Sequence, residues 1–555
     1  MVAYLAHVNV GVNRLSFNPW IATTLGLTVI FFSPILAVFV AAAEDSFGLW
    51  DHLFATVLPR YVVNSLVLMI GVGCTSLIFG VSSAWIVVRY EFPGRVAFQW
   101  MLLLPAAVPA YLIAYTYTDF LEYAGPVQEA VRGVFGWQSA QDYWFPEIRS
   151  MGGAILIMGS VLYPYVYVMA RTAFLLTPKS LYEVGMLSRR SLFWSIGLPL
   201  ARPAIAAGLA LVLMETISDF GTVEYFAIET LTLGIFNVWL GMNSLAAAAQ
   251  IAVFSFLFII ILLALEMIAR AKRQYTDTTK KSISLSAESA TGGVVILCWI
   301  VCAAPVVIGF LTPVSVLTSF VWDGHSLDLS KTVLEAALNS TILAAIVAIL
   351  VMTAAGFFGF VSSFQGGAIL GRLTAVASIG YALPGTILAI GVVTIAGVID
   401  RGTSDALLKI FDMTWRGSIA SGFGLVIIAC VIRFQAVGYG AVMSGLGRLP
   451  GNMMDANLLL GHDFSAGIRR VILPLTKMSF VAGALLVFVD VMKELPMTLL
   501  LRPFNFETLP TYVYQYAKDE LLEEAALPAL FIIATGLVPV LLMNAALSKF
   551  MLKKT

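Results

Sequence analysis

The sequence predicts an all-α polytopic membrane protein with about twelve transmembrane helices, arranged as two tandem six-helix repeats of the same topology. Of its 555 residues, 60% are hydrophobic and 12% charged, and the mean hydropathy is +0.92. A soluble chain of this length could not cover its surface with so few charges. Landmarks also recur at a fixed offset of 275 positions (339 − 64), which indicates a duplicated unit. These landmarks are Asn64-Ser65 and Asn339-Ser340, Pro109 and Pro384, and Pro199 and Pro474.

Twelve apolar segments reach the roughly 20 residues that a membrane-spanning helix needs. In the first half they lie near 21–43, 62–88, 98–119, 151–172, 200–219 and 247–268. In the second half they lie near 293–315, 338–364, 373–398, 417–437, 475–494 and 526–547. We therefore divide the chain into a first repeat (1–269), a charged linker (270–290) and a second repeat (291–555).

The distribution of lysine and arginine in the short loops predicts the orientation. Basic residues concentrate in the linker, in the C-terminal tail and in two loops at 178–199 and 450–474, whereas the alternate loops are acidic. Both termini, the linker and these two loops are therefore expected on the cytoplasmic side. Six spans per half is an even number, so the two halves should insert in the same direction.

The two basic loops carry the same motif. The second contains Asp455-Ala456-Asn457, then Gly461, and ends in Val471, Leu473 and Pro474. The first contains Glu183-Val184-Gly185 and ends in Leu198-Pro199, but it is three residues shorter and has Arg189 where a glycine is expected. A short helix, a glycine turn and a second helix would form a compact knob. The proline would then start the next span, where its missing N–H costs little.

The second loop resembles the EAA signature of ABC-importer permeases, the MetI-like inner-membrane components of binding-protein-dependent transport. Asp455, Ala456, Gly461, Leu473 and Pro474 stand at the signature spacing. The whole chain looks closest to the fused two-repeat permeases of the ferric-iron importer group. The stretches that carry this second resemblance are 198–205, 215–225 and 234–239.

The resemblance implies a type I ABC-importer permease fold in which each knob seats in a groove of an ATPase subunit. The coupling residues would be Glu183, Gly185, Pro199, Asp455, Ala456, Gly461, Leu473 and Pro474. It implies two copies of a cytoplasmic ABC ATPase and a periplasmic or lipoprotein substrate-binding protein as partners, besides membrane lipid. Ferric iron is the expected substrate, with thiamine, sulfate, polyamine and phosphonate as alternatives. The chain contains no G-x-x-x-x-G-K-[ST] loop, so ATP must be hydrolysed by a partner, and no cofactor or metal site is expected here.

Two carboxylates near the outer end of the fifth span in each half, four in all, are candidates for the transport pathway. Ionisable residues inside spans are often functional. The four candidates are Glu215, Asp219, Asp490 and Glu494, again paired at the 275 offset. An alternative is that they cap the outer helix ends or meet a docked binding protein. Pro105, Pro109 and Pro384 should interrupt their spans, either at a transport cavity or as packing kinks. Tyr111, Tyr115 and Tyr117 are expected to anchor the chain at the membrane interface.

Two other functional classes remain as rivals. An ion-gradient-driven transporter or channel would use the intramembrane carboxylates and need no ATPase, but the duplicated cytoplasmic motif argues against it. A membrane-embedded enzyme has little support, because the four histidines form no catalytic or metal-binding pattern. Nucleic acid is not an expected partner, because the chain has no basic stripe interleaved with aromatic residues.

Overall fold

The computed structural model describes residues 19–187, 191–271, 287–324, 330–366, 368–412, 422–450, 452–461 and 463–552. Most of the predicted linker and both chain ends lie outside this part. Within the described residues the regular secondary structure is helical, except for one parallel pair of two-residue strands, β1 (Tyr90–Glu91) and β2 (Glu288–Ser289).

Within the described residues, twelve α-helices begin before the linker. They are α1 (Pro19–Ala42), α2 (Leu49–Thr56), α3 (Leu58–Arg89), α4 (Arg95–Met101), α5 (Ala110–Leu121), α6 (Pro126–Phe135), α7 (Met151–Leu176), α8 (Lys179–Leu187), α9 (Leu198–Ser218), α10 (Gly221–Tyr225), α11 (Leu231–Phe236) and α12 (Leu245–Ala271). Twelve more follow it. They are α13 (Gly293–Val306), α14 (Thr312–Trp322), α15 (Lys331–Phe364), α16 (Ala368–Ala377), α17 (Gly385–Phe411), α18 (Phe423–Leu446), α19 (Met453–Leu459), α20 (Phe464–Gly467), α21 (Leu473–Met492), α22 (Pro496–Leu501), α23 (Leu509–Lys518) and α24 (Ala526–Leu552).

Each of the twelve predicted spans overlaps a helix. Within the described residues, however, nine helices are long and apolar enough to cross a membrane, or ten if one bent pair counts as a single span. The described apolar parts of α12 and α24 are shorter, at Leu245–Ile261 and Ala526–Leu541. The chain is thus a polytopic all-α membrane protein, and the count of twelve spans remains a prediction.

The predicted interruptions at Pro109 and Pro384 are confirmed. Both prolines are extended residues immediately before a helix, α5 and α17 respectively. Each break is preceded by a 3-10 turn, Leu104–Ala107 in the first half and Ile379–Ala382 in the second. In the first half the helical segments on either side of Pro109 meet at 93°. The two breaks lie 275 positions apart (384 − 109), the same offset as the other sequence landmarks.

The predicted starts of the spanning α-helices at Pro199 and Pro474 are confirmed, because each proline is the second residue of α9 or α21. A π-helical turn, Phe193–Gly197 or Ile468–Ile472, runs directly into each of these helices, and the sequence did not predict it. In these turns the amides of Leu198 and Leu473 bond carbonyls five residues back, at Phe193 and Ile468. The wide turn changes the bonding register just before the proline, which is how a helix accommodates its missing N–H.

The chain forms two compact units, and each unit combines segments from both sequence halves. One contains residues 1–45, 244–253 and 334–508, and here α1 packs against α16 and α17. The crossing is tight, because a Cβ added to Gly391 would lie 2.1 Å from the Pro34 carbonyl oxygen.

The other unit contains residues 46–243, 254–333 and 509–555. Here α13 packs against α3, and α14 packs against α5 and α24. In this unit a Cβ on Gly309 would lie 2.3 Å from the Ser160 carbonyl oxygen. Only glycine permits backbone contacts this close.

Candidate functional sites: the coupling loops and the polar span ends

The second predicted coupling loop is a pair of short helices joined by a glycine turn. Asp455 and Ala456 lie in α19, and Ala456 is exposed. Gly461 has φ +82°, the left-handed backbone that favours glycine, so its predicted role in the turn is confirmed. The Asp463 carboxylate then caps α20 by accepting the Ala466 amide at 2.9 Å. Leu473 and Pro474 follow the π turn and are exposed.

The first loop forms a similar pair from fewer residues. Glu183 is exposed on α8, whereas Gly185 is buried on the same helix. The chain then passes through the π turn into α9, which contains Pro199. Arg189 lies outside the described residues. Each loop therefore exposes one residue of the predicted motif. This residue is Glu183 in the first loop and Ala456 in the second.

In each loop a glycine allows two helical segments to pack closely. The glycine is on the first segment in the first loop and on the second segment in the second loop. In the first loop a Cβ on Gly185 would lie 2.3 Å from Cδ1 of Ile196 and 2.8 Å from Cδ2 of Leu192. In the second loop the position equivalent to Gly185 is Asn457, and the position equivalent to Leu192 is Gly467. A Cβ on Gly467 would lie 2.4 Å from Nδ2 of Asn457. The first loop therefore pairs a small Gly185 with a large Leu192, and the second loop pairs a large Asn457 with a small Gly467 at the same helix crossing.

Each loop is also fixed to the membrane helices by one large aromatic residue. Trp85, near the end of α3, contacts the rings of Phe174, Tyr182 and Phe193 at centroid distances of 5.3, 6.2 and 5.3 Å. Phe360, 275 positions later on α15, belongs to a buried cluster with Leu446, Met454 and Ile472. Each loop is therefore held against a membrane helix by close-packed side chains.

Two of the four candidate carboxylates act as helix caps. Asp219 accepts hydrogen bonds from the amides of Thr222 and Val223 at 3.0 and 3.2 Å, which starts α10. Glu494 accepts the amide of Met497 at 3.0 Å, which starts α22. The bonds follow the 275-residue repeat, and charged oxygens at a helix N-terminus are favourable. Glu215 and Asp490, one turn earlier, are half-buried. Lining of a pathway by these four residues stays a prediction.

Glu494 has a second partner that the sequence interpretation missed. The Arg433 guanidinium lies 3.4 Å from its carboxylate, and both side chains are at most one-tenth exposed. Arg433 also reaches the break before α17, because a Cβ on Gly385 would lie 2.5 Å from its Nη1. The sequence did contain a signal for this residue, because Arg433 is a charged residue inside the predicted span 417–437.

A further pair of equivalent contacts involves the asparagine landmarks. Nδ2 of Asn64 donates to the Glu229 carbonyl at 3.0 Å, and Nδ2 of Asn339 donates to the Glu507 carbonyl at 3.0 Å. The carboxylates of Glu229 and Glu507 form ion pairs with Arg60 and Arg502. The recurring Asn-Ser dipeptide therefore ties a spanning helix to the segment that follows the short helix after the fifth span.

The tyrosines of α5 are not interface anchors. Tyr111, Tyr115 and Tyr117 are all buried, and the Tyr115 ring packs edge-on against Tyr225 at 4.4 Å. The Tyr117 hydroxyl donates to the Ile308 carbonyl at 2.9 Å. The expectation of an aromatic belt is wrong here because the break at Pro109 turns α5 into the interior of its unit.

The acidic loop after α5 forms an ordered cap with a cavity of about 540 Å³, lined in part by Glu122, Gln128 and Arg149. Phe135, Trp137 and Tyr143 stack in series at centroid distances of 4.7 and 4.9 Å. Amides of Ser139 and Gln138 donate to Asp142, and these bonds lower the pKa of its carboxyl group.

Comparison with known proteins finds several transport permeases, while no family model matches the chain. The Fe(3+)-transport system permease protein FbpB 2 of Haemophilus influenzae is 24% identical over 537 residues, covering 92% of this chain and 95% of that protein. The molybdenum transport system permease protein ModB of Escherichia coli is 26% identical over 236 residues, which are 41% of this chain and 97% of ModB. The sulfate transport system permease protein CysT of Synechococcus elongatus is 29% identical over 154 residues, or 28% of this chain and 52% of CysT.

These similarities confirm the resemblance to ABC permeases that the loop motif predicted. The similar proteins are transport permeases and not enzymes, in agreement with the prediction that this chain carries out transport. Together with the apolar helices, they indicate a multi-pass protein of the inner membrane.

Proposed function

We propose that this chain is the membrane-spanning permease subunit of an ATP-driven importer for ferric iron. Its two repeats of six spans would replace the two separate permease subunits of half-size systems. The alignment of nearly all of ModB with two-fifths of this chain supports the duplication. Similarity over almost the full length to a ferric permease supports the substrate. No ATP or other cofactor would be bound by this chain itself.

The observation that carries the coupling role is the matched construction of the two loops. Each is a helix pair closed over a glycine, attached to a span through one large aromatic side chain. Two loops call for two ATPase subunits, one at each. Closure of the ATPases on ATP would draw the loops together, and the rigid packing would move α9 and α21 with them. The membrane cavity would then open outward and return after hydrolysis.

Both termini and the linker would lie in the cytoplasm with the coupling loops, and a periplasmic or lipoprotein binding protein would deliver substrate to the opposite face. That face carries the acidic loops. Glu122 there pairs with Arg149 at 2.6 Å, and Glu224 pairs with Lys518 at 3.5 Å. Such partly exposed ion pairs are weak, so they can exchange for partners on a docking protein.

Uptake of radioactive ferric iron by cells with and without this chain tests the substrate. We expect deletion to remove the ATP-dependent part of the iron uptake. ATP depletion of wild-type cells should have the same effect. Unchanged iron uptake, with loss of sulfate or molybdate uptake instead, would move the assignment to an oxyanion. Uptake of thiamine, polyamine and phosphonate should be measured in the same cells, because these are the other candidate substrates.

A further inference from the structure

Arg171 is a buried cation that no carboxylate neutralises within the described residues. It lies on α7, five residues before the helix ends at Leu176, and its side chain is almost fully enclosed, at 4% exposure. One guanidinium nitrogen donates to the neutral Oε1 of Gln99 at 3.0 Å, and its Nε has no hydrogen-bond partner among the described residues. An enclosed charge without a counter-ion is costly, so such arginines are normally paired.

A second arginine lies beside it. Arg95 starts α4, one turn before Gln99 on the same helix, and its charge is close enough to Arg171 for the two to repel. Nε of Arg95 donates to the Val87 carbonyl at 2.7 Å, and Glu91 is 3.7 Å away with two-thirds of its side chain exposed. The buried hydroxyl of Tyr167, a residue adjacent to Arg171, also has no hydrogen-bond partner in the part of the chain that the structure describes. The cluster of Arg171, Arg95, Gln99 and Tyr167, called the cationic corner below, therefore has more hydrogen-bond donors and positive charge than it has acceptors.

The fold of the repeat does not require these polar groups. At the equivalent positions of the second repeat, 275 residues later, Arg171 is replaced by Leu446, Tyr167 by Val442 and Arg95 by Leu370, all buried. Gln99 is replaced by Thr374. Val442 and Leu446 there form part of a hydrophobic cluster. The same backbone is thus packed with apolar side chains in one half, so the cationic corner in the other half calls for an explanation by ligand binding.

We propose that Arg171, Arg95 and Gln99 bind the phosphate group of an anionic phospholipid at this end of α7. The corner lies beside the ends of α3 and α7, and the ends of spanning helices are where lipid headgroups are expected. Arg95 and Gln99 are partly exposed and form the rim, while Arg171 supplies charge from below. Basic pockets between membrane helices bind such headgroups, and arginine suits phosphate because its donors form a planar fork. Free inorganic phosphate has the same chemistry, so the test must separate the two.

The test measures binding of a fluorescent short-chain phosphatidylglycerol to the purified full-length chain in neutral detergent, by fluorescence anisotropy. Arg171→Leu, which copies the second repeat, should weaken binding about tenfold, or about 1.4 kcal/mol. Arg202→Leu removes a charge from an exposed position of α9 and should change the affinity less than about twofold. A phosphatidylcholine analogue should compete poorly.

The remaining outcomes are informative. Equal binding by wild type and Arg171→Leu would overturn the proposal. Displacement by inorganic phosphate as effective as displacement by lipid would overturn the lipid assignment and give the site to free phosphate. Unchanged lipid binding with loss of an associated protein subunit would overturn it in favour of a protein carboxylate. If Arg171→Leu does not fold, Arg95→Leu with Gln99→Thr changes only the rim and should still weaken binding about threefold.

Discussion

Replacing Arg433 with methionine should lower the free energy of unfolding by about 3–5 kcal/mol, because the substitution leaves the Glu494 carboxylate buried without its cation. Methionine is the residue at the equivalent position of the first repeat, Met158, so the side chain itself suits the fold. The measurement is thermal or denaturant unfolding of the purified chain in detergent.

The double variant Arg433→Met, Glu494→Gln separates charge from packing. Glutamine removes the unpaired charge and can still accept the Met497 amide through its side-chain oxygen, so we expect recovery of about half of the lost stability or more. Arg60→Met is the matched control, because it breaks an exposed pair with Glu229 and should cost about 1 kcal/mol or less. Wild-type stability of Arg433→Met would show that the buried pair contributes nothing.

The second large effect is expected in the first coupling loop. Gly185→Asn places a side chain where even a Cβ would lie 2.3 Å from Ile196 and 2.8 Å from Leu192. The helix pair must then separate, and overpacking of this kind costs about 1–3 kcal/mol. Because the loop has to fit a groove on another protein, a small displacement should lower ATP-dependent uptake about tenfold or more.

The compensating change follows from the second loop, where Asn457 faces Gly467. Leu192→Gly in the Gly185→Asn background recreates that arrangement and should restore uptake to within about threefold of wild type. Leu192→Gly alone leaves a gap and should have an intermediate effect. An unrescued double variant with normal folding would mean that the crossing in the first loop does not use the exchanged packing.

The apolar segments and the breaks at Pro109 and Pro384 could be predicted from the sequence, because each depends on local composition or on spacing along the chain. The glycine turn at Gly461 could be predicted for the same reason. The π turns before Pro199 and Pro474 could not, because a proline in the first turn of a helix and a proline after a π turn produce similar local sequences.

Side-chain partners were the least predictable feature, because they come from distant parts of the chain. Glu494 is 61 positions from Arg433, and Arg171 is 72 positions from Gln99. Both arginines lie inside predicted spans, so their presence was a signal even though their partners were not. The tyrosines of α5 were misplaced because an aromatic run near a span end fits either an interface or an interior.

We propose that this chain binds two separate ATPase subunits through its two cytoplasmic loops. The most direct measurement is affinity purification of the tagged chain from its native membrane, with the amount of bound ATPase subunit quantified against the chain. We predict about two ATPase subunits per chain, and a clear loss of ATPase from a folded Asp455→Lys variant, whose charge is reversed on α19. A wild-type chain that transports substrate but retains no ATPase would contradict the account, as would normal ATPase binding and uptake in Asp455→Lys.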